Sequence, residues 1–189
     1  MSDGIIAQTL ADHVNTIQSM GTELAGELEK VSEAIVRALK AGNKVLAMGN
    51  GGSAADAQHL AGELVGRFLV ERAALAAIAL SADSSILTAV ANDYGYEAVF
   101  LRQVEGLARS GDVVVGISTS GNSANVISAL TRAKELGCVT VGLTGHQGGE
   151  IGKLADYSLI IPSSDTPRIQ EAHILIIHIL CDLVEKHFL

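Results

Sequence analysis

The chain has 189 residues, 48% hydrophobic and 18% charged, a size at which one hydrophobic core suffices and a second domain has little room. Its formal net charge of −8 means that a bound anion must be held by local geometry against the overall field, and nucleic-acid binding is not expected. Cys138 and Cys181 both sit in apolar stretches, which reads as two buried free thiols in a reducing compartment rather than as a disulfide framework.

The first residues carry early acidic side chains and no unbroken apolar core, unlike a secretory signal. No apolar run approaches the roughly 20 residues that span a bilayer, so a soluble, cytoplasmic protein with no membrane partner is expected. From Ile5 to Leu39 apolar side chains recur at helical spacing, with a break near Met20 to Thr22 and Gly42 as a stop signal. This predicts an N-terminal helical region over residues 1–41 within a single domain spanning residues 1–189. Five β-rich runs follow, VLAMG, AAIAL, DVVVGI, CVTVGL and YSLIIP, alternating with Gly- or Ser-rich turns and helical segments. That grammar predicts an α/β fold, a parallel sheet with helices on both faces. The last stretch, from Pro167 to Phe188, predicts a helix that is apolar on most faces and needs burial. A homo-oligomer packed through helices would supply it.

Two turns carry the features of anion cradles. In VLAMGNGGSAADAQHLAGEL a strand runs into a helix through Asn50, Gly51 and Gly52, with Ser53 expected at the N-cap. Glycines admit close approach of the backbone, and the positive end of a helix favours negative charge. The segment is neither a Walker loop nor the spaced glycine fingerprint of dinucleotide folds. In DVVVGISTSGNSANVISAL the second turn offers Ser118, Thr119, Ser120 and Ser123 around Gly121. Either could be helix capping alone. Together, beyond the carboxyl ends of parallel strands, they point to a phosphomonoester held by hydroxyls and amides.

His59 and Glu63 are four residues apart on the helix after the first turn, roughly 40° apart around its axis, so they can aim at one point. The spacing suits a metal pair and equally a surface hydrogen bond. Gln170 and His178 lie on the last helix, about 12 Å apart along its axis. His178 is surrounded by Ile and Leu, where a histidine is more often a satisfied core residue. His173 differs from His178 by about 140° of helical angle, so the two cannot serve one site on one face.

With these residues in view, KVLAMGNGGSAADAQHLAGEL, ANDYGY, GISTSGNSAN and TPRIQEAHILIIHIL together resemble the sedoheptulose 7-phosphate (phosphoheptose) isomerases of the sugar isomerase, or SIS, domain superfamily. The resemblance implies a flavodoxin-like three-layer sandwich with a five-stranded parallel sheet, assembled as a tetramer with active sites at subunit interfaces. It implies substrate contacts at Asn50, Gly51, Gly52, Ser53, Glu63, Asn92, Asp93, Ser118, Thr119, Ser120, Ser123 and Gln170. It also implies a zinc ion (Zn2+) on His59, Glu63, Gln170 and His178. The activity implied is conversion of D-sedoheptulose 7-phosphate to D-glycero-D-manno-heptose 7-phosphate through an enediol, with Glu63 as base and His178 as acid. Without the resemblance, Asp93 reads equally as a turn residue. In some members the position before Arg-Ile-Gln is acidic, whereas here it is Pro167. Two alternatives stay open: an isomerase of another sugar phosphate, and a non-catalytic regulator such as the DnaA initiator-associating protein, whose kind departs at the positions of Glu63 and His178.

Overall fold

In a computed structural model, which describes residues 2–189, the two opening helices are α1 (Ser2–Ser19) and α2 (Gly21–Lys40). They break where the sequence places the break. Gly42, at φ 82°, ends α2 in the left-handed conformation that glycine adopts without penalty, and its amide reaches the carbonyl of Leu39.

The five β-rich runs become β1 (Val45–Gly49), β2 (Ala77–Ala79), β3 (Val113–Ser118), β4 (Val139–Thr144) and β5 (Tyr157–Ile160). All neighbours pair parallel in the order β2-β1-β3-β4-β5. Every residue of β1 and β3 is buried, as expected for inner strands covered on both faces. The edge strand β2 is shorter than the AAIAL run, although Ala76 and Leu80 still exchange backbone hydrogen bonds with Val45 and Ala47.

Between the strands lie α3 (Gly52–Val65), α4 (Ser84–Tyr94), a 3-10 turn (Tyr96–Ala98), α5 (Leu101–Leu107), α6 (Ala124–Glu135) and α7 (Gly149–Leu154), and α8 (Thr166–Glu185) closes the chain. Pro167 sits in the first turn of α8, where its missing N–H costs nothing. One core joins α2, α3 and α8 to a sheet face through Val31, Ile35, Leu60, Ile117, Leu143 and Ile176. The other packs α5 and α6 on the opposite face through Leu46, Met48, Val114, Val104 and Leu130. Alternate strand residues therefore feed two apolar layers, which gives the three-layer sandwich.

The chain leaves β1 toward β2 on one side and returns to β3 on the other. Their carboxyl ends thus flank the switch point where open α/β sheets bind ligands. Both expected cradles, after β1 and after β3, stand there.

Cys138 and Cys181 are buried and free, and burial pushes the Cys181 thiol up to about 12. Neither is a nucleophile at neutral pH.

Candidate active site

The first cradle departs from the expected capping. Gly51, not Ser53, occupies the N-cap of α3, at φ 56°, and no side chain caps the helix. Ser53 lies two positions past that cap, in the first turn of α3, and is buried, its amide donating to the Asn50 carbonyl. The turn closes two residues early because glycine can take the positive φ directly after Asn50.

Gly52 serves a different need. A Cβ there would stand 2.6 Å from Gln170 Nε2, so the bare backbone is what lets the Gln170 amide lie against the start of α3.

In the second cradle Ser118 is buried and its Oγ lies 2.9 Å from Ser123 Oγ and 3.4 Å from Ser120 Oγ. Ser123 occupies the N-cap of α6, yet its side chain makes no capping hydrogen bond. Its hydroxyl is turned to Ser118 instead, away from the ordinary structural use of serine at that position. Thr119 accepts from the Gly145 amide through its carbonyl, which fixes the loop against the one after β4. Three hydroxyls sharing so few acceptors can all donate to an anion.

The two cradles are tied by a pair that sequence reasoning missed. Asn50 and Asn125 exchange amide hydrogen bonds, each 2.9 Å, and Tyr96 donates its hydroxyl to Asn50 Oδ1 at 3.1 Å. Asn125 is buried at the start of α6, so the stitch runs from one cradle to the other. Its residues are 75 apart in sequence and carry no periodic signal. Asn92 and Asp93 are exposed in the last turn of α4 rather than in a turn, with Asn92 donating to Asp93 at 2.8 Å.

Helices α3 and α8 run side by side in the same direction. Gly52 meets Gln170 near their starts, and His59 meets His178 two turns further on. His59 Nε2 lies 3.0 Å from His178 Nε2 and 3.2 Å from Glu63 Oε1. The His59 side chain is 40% exposed and that of Glu63 24%, so the cluster opens to solvent while the carboxylate is partly shielded. Phe68 also packs on the His178 ring, with centroids 5.5 Å apart. His178 is therefore no core histidine. That part falls to His173, fully buried, bonded through Nε2 to the Thr144 carbonyl and lowered to about 4 by burial.

Among the described residues no three His, Cys, Asp or Glu side chains surround a common point at metal-bonding distance, because the two imidazoles here share a hydrogen bond directly. The donor set nevertheless suits zinc. Ligand atoms on a tetrahedral zinc with bonds of roughly 2.0–2.1 Å sit about 3.3 Å apart, close to the 3.0 and 3.2 Å seen. A zinc ion could replace the proton between the rings. Gln170, the fourth expected ligand, is not among these contacts and lies instead against Gly52.

A further acidic group shares this face. Asp56 precedes His59 by three residues and Glu63 by seven, both helical repeats. Its Oδ2 is buried without a partner, and burial pushes its carboxyl up to about 6 against the opposing charge of His59.

Residues 10–145 match the SIS domain family. The phosphoheptose isomerase of Trichlorobacter lovleyi is 58% identical over 181 residues, covering 96% of this chain and 92% of the relative. That of Geobacter sulfurreducens is 58% identical over 186 residues and 98% of each chain. The solved phosphoheptose isomerase of Neisseria gonorrhoeae is 44% identical and superposes with a TM-score of 0.94, covering 98% of this chain and all of its own. Below that identity, the Vibrio vulnificus NanR protein, solved in complex with ManNAc-6P, shares the fold alone, at 18% identity and a TM-score of 0.68. With 96–98% of its length aligned to these enzymes, the chain belongs to the phosphoheptose isomerase family of SIS-domain proteins.

Proposed function

We propose that the protein isomerises D-sedoheptulose 7-phosphate to D-glycero-D-manno-heptose 7-phosphate, the aldose–ketose step that begins heptose biosynthesis. The observation that carries the reading is the convergence of Glu63 and His178 from two helices beside the switch-point cradles. A binding-only relative needs the cradles but has no use for a base and an imidazole placed there.

The hydroxyls of Ser118, Ser120 and Ser123, with the turn at Asn50, Gly51, Gly52 and Ser53, hold the phosphate end by hydrogen bonds. This suits a chain of net charge −8 that offers no lysine in either turn. Holding the far end of the sugar places C1 and C2 on α3 and converts a slow encounter into a positioned reaction. Glu63 Oε1 faces His59, which leaves Oε2 as the base that takes the C1 proton and returns it to C2 on the same face. His178 gives a proton to O2 as the enediol forms and takes one from O1 as it collapses, so the C2 end gains the two protons that the C1 end loses. Gln170, Asn92 and Asp93 serve as hydrogen-bond partners of the polyol chain.

His59, Glu63 and His178 also form the set that would hold zinc, with Gln170 as a fourth ligand after rotation of its side chain. When bound, zinc supplies a Lewis acid that polarises the sugar oxygens.

We also propose that residues 1–189 act as one SIS domain with 1–41 as its helical extension, since α2 shares a core with the sheet and α8. A cytoplasmic tetramer completes the reading. Exposed Ile6, Leu10 and Val14 form a stripe on α1 that a second copy can cover, and no described helix is long and apolar enough to cross a membrane.

The direct test is incubation of metal-analysed protein with sedoheptulose 7-phosphate, following the aldose product by NMR. Turnover supports the reading. Binding without turnover at full zinc occupancy would move the protein to the regulators.

A further inference from the structure

Between α3 and the edge strand the chain runs through residues 66–76 with no helix or strand, and Arg67, Leu69 and Val70 are exposed. Such a segment is ordinarily held at its ends. Here it is gripped in the middle by a carboxylate from the C-terminal end of the chain. Glu185, only 2% exposed, accepts backbone hydrogen bonds from Phe68 at 2.9 Å, Leu69 at 2.8 Å and Val70 at 2.9 Å. Arg72, equally buried, pairs with it through Nε at 3.2 Å. The same guanidinium donates to the carbonyls of Glu63 at 2.8 Å and Leu64 at 3.0 Å, the last turn of α3.

Two features separate this cluster from ordinary loop anchoring. A carboxylate in the last turn of a helix is opposed by the helix dipole, and enclosure raises its cost again. Burial pushes the Glu185 carboxyl up, yet the three amides and the Arg72 charge outweigh it and hold the group below the usual range. What that expense secures lies at the active cluster. Glu185 follows His178 by seven residues, so both stand on one face of α8. The gripped loop carries Phe68, whose ring packs on the His178 ring with centroids 5.5 Å apart, while His59 packs on that same ring at 5.0 Å. The guanidinium simultaneously fixes the helix end that bears Glu63.

We infer that the buried Arg72–Glu185 pair is a positioning device for the isomerase reaction: it sets the end of α3 that carries Glu63 and seats Phe68 against His178, so that base and acid keep their separation during turnover. The inference rests on the isomerase reading above. Neither Arg72 nor Glu185 touches the sugar. Both act through the two catalytic groups, and a displacement of about 1 Å at such groups can cost on the order of a hundredfold in rate.

The experiment is a double-mutant cycle on kcat, using Glu185→Gln, Phe68→Ala and the double variant in the zinc-analysed, fully assembled enzyme. Each single change is expected to lower kcat by about tenfold or more, with KM within about twofold. The double variant should be no slower than the slower single, because Glu185 acts through the loop that bears Phe68. Phe68→Tyr, which keeps a ring at the same place, should restore kcat. Wild-type kcat in a folded Glu185→Gln variant, or losses that multiply in the double variant, would overturn the inference. Should Glu185→Gln fail to fold, wild-type kcat in Phe68→Ala overturns it alone. A wild-type enzyme that does not turn over sedoheptulose 7-phosphate refutes the isomerase reading instead, which keeps the two failures apart.

Discussion

One methyl group placed in each cradle should give opposite outcomes. At Gly52 the added Cβ would lie 2.6 Å from Gln170 Nε2, whereas ordinary contact begins near 3.4 Å. The obstacle is the tip of a flexible side chain, so Gln170 must withdraw by about 0.8 Å or rotate away while the backbone stays. Gly52 lies in the first turn of α3 without a left-handed φ, so alanine there also removes unfolded-state freedom worth about 0.4–1 kcal/mol. Gly52→Ala should therefore leave stability within about 1 kcal/mol of wild type while lowering kcat/KM by roughly tenfold to a hundredfold. At Gly121 the φ is +69° and the Cβ would lie 2.1 Å from the Gly148 carbonyl oxygen, an obstacle made of backbone. The left-handed conformation costs alanine about 1–2 kcal/mol and overpacking about 1–3 more. A loss of about 2–5 kcal/mol should lower the melting temperature by roughly 5–15 °C. Urea unfolding and steady-state kinetics on both variants separate the cases. Wild-type kcat/KM in Gly52→Ala would show that Gln170 has no part in the site, and an unaltered Gly121→Ala midpoint would refute the strain argument.

Three other outcomes follow from the same geometry. His173 has a folded pKa near 4, below its ordinary 6.5, so its contribution is complete above pH 6.5 and fades as pH falls toward 4. The loss should reach about 3 kcal/mol by urea unfolding across that window, and His173→Gln should flatten it. Asp56 is shifted the other way, up to about 6 from 3.8, so its ionised form weakens the fold as pH rises through that range. Asp56→Asn should thus gain about 1 kcal/mol at pH 8 and nothing near pH 4, a reading that equal midpoints at pH 8 would sink. Leu10→Glu places a charge in the exposed α1 stripe and should dissociate the assembly in light scattering, whereas an unchanged mass would move the subunit contact elsewhere.

Much of the fold was written in local chemistry. Inner strands show as short apolar runs because both faces are buried, and the break between α1 and α2 shows because Gly21 takes φ 63°. The His59–Glu63 pair was readable from helical spacing, and the 140° between His173 and His178 does send them to different surroundings. Hidden from the sequence were contacts across long separations between polar side chains: Asn50 with Asn125, Tyr96 over Asn50, Glu185 under residues 68–70. No periodicity marks these, since each needs the sheet to bring its partners together. The surroundings of His178 misled for a related reason. Its Ile and Leu neighbours in sequence cover other faces of α8, and the face it occupies looks across to α3. Ser53 was misplaced because a serine beside glycines reads as an N-cap, while the glycine's own positive φ closes the turn first.

The convergence of Glu63 and His178 is tested most directly by Glu63→Gln, which keeps the shape and removes the base. With sedoheptulose 7-phosphate as substrate and NMR detection of the aldose, the variant should lose turnover by at least about a thousandfold. Calorimetric titration should still show sugar-phosphate binding within a few-fold of wild type. Turnover comparable to wild type would contradict the assignment of Glu63 as the base that moves the carbon-bound proton.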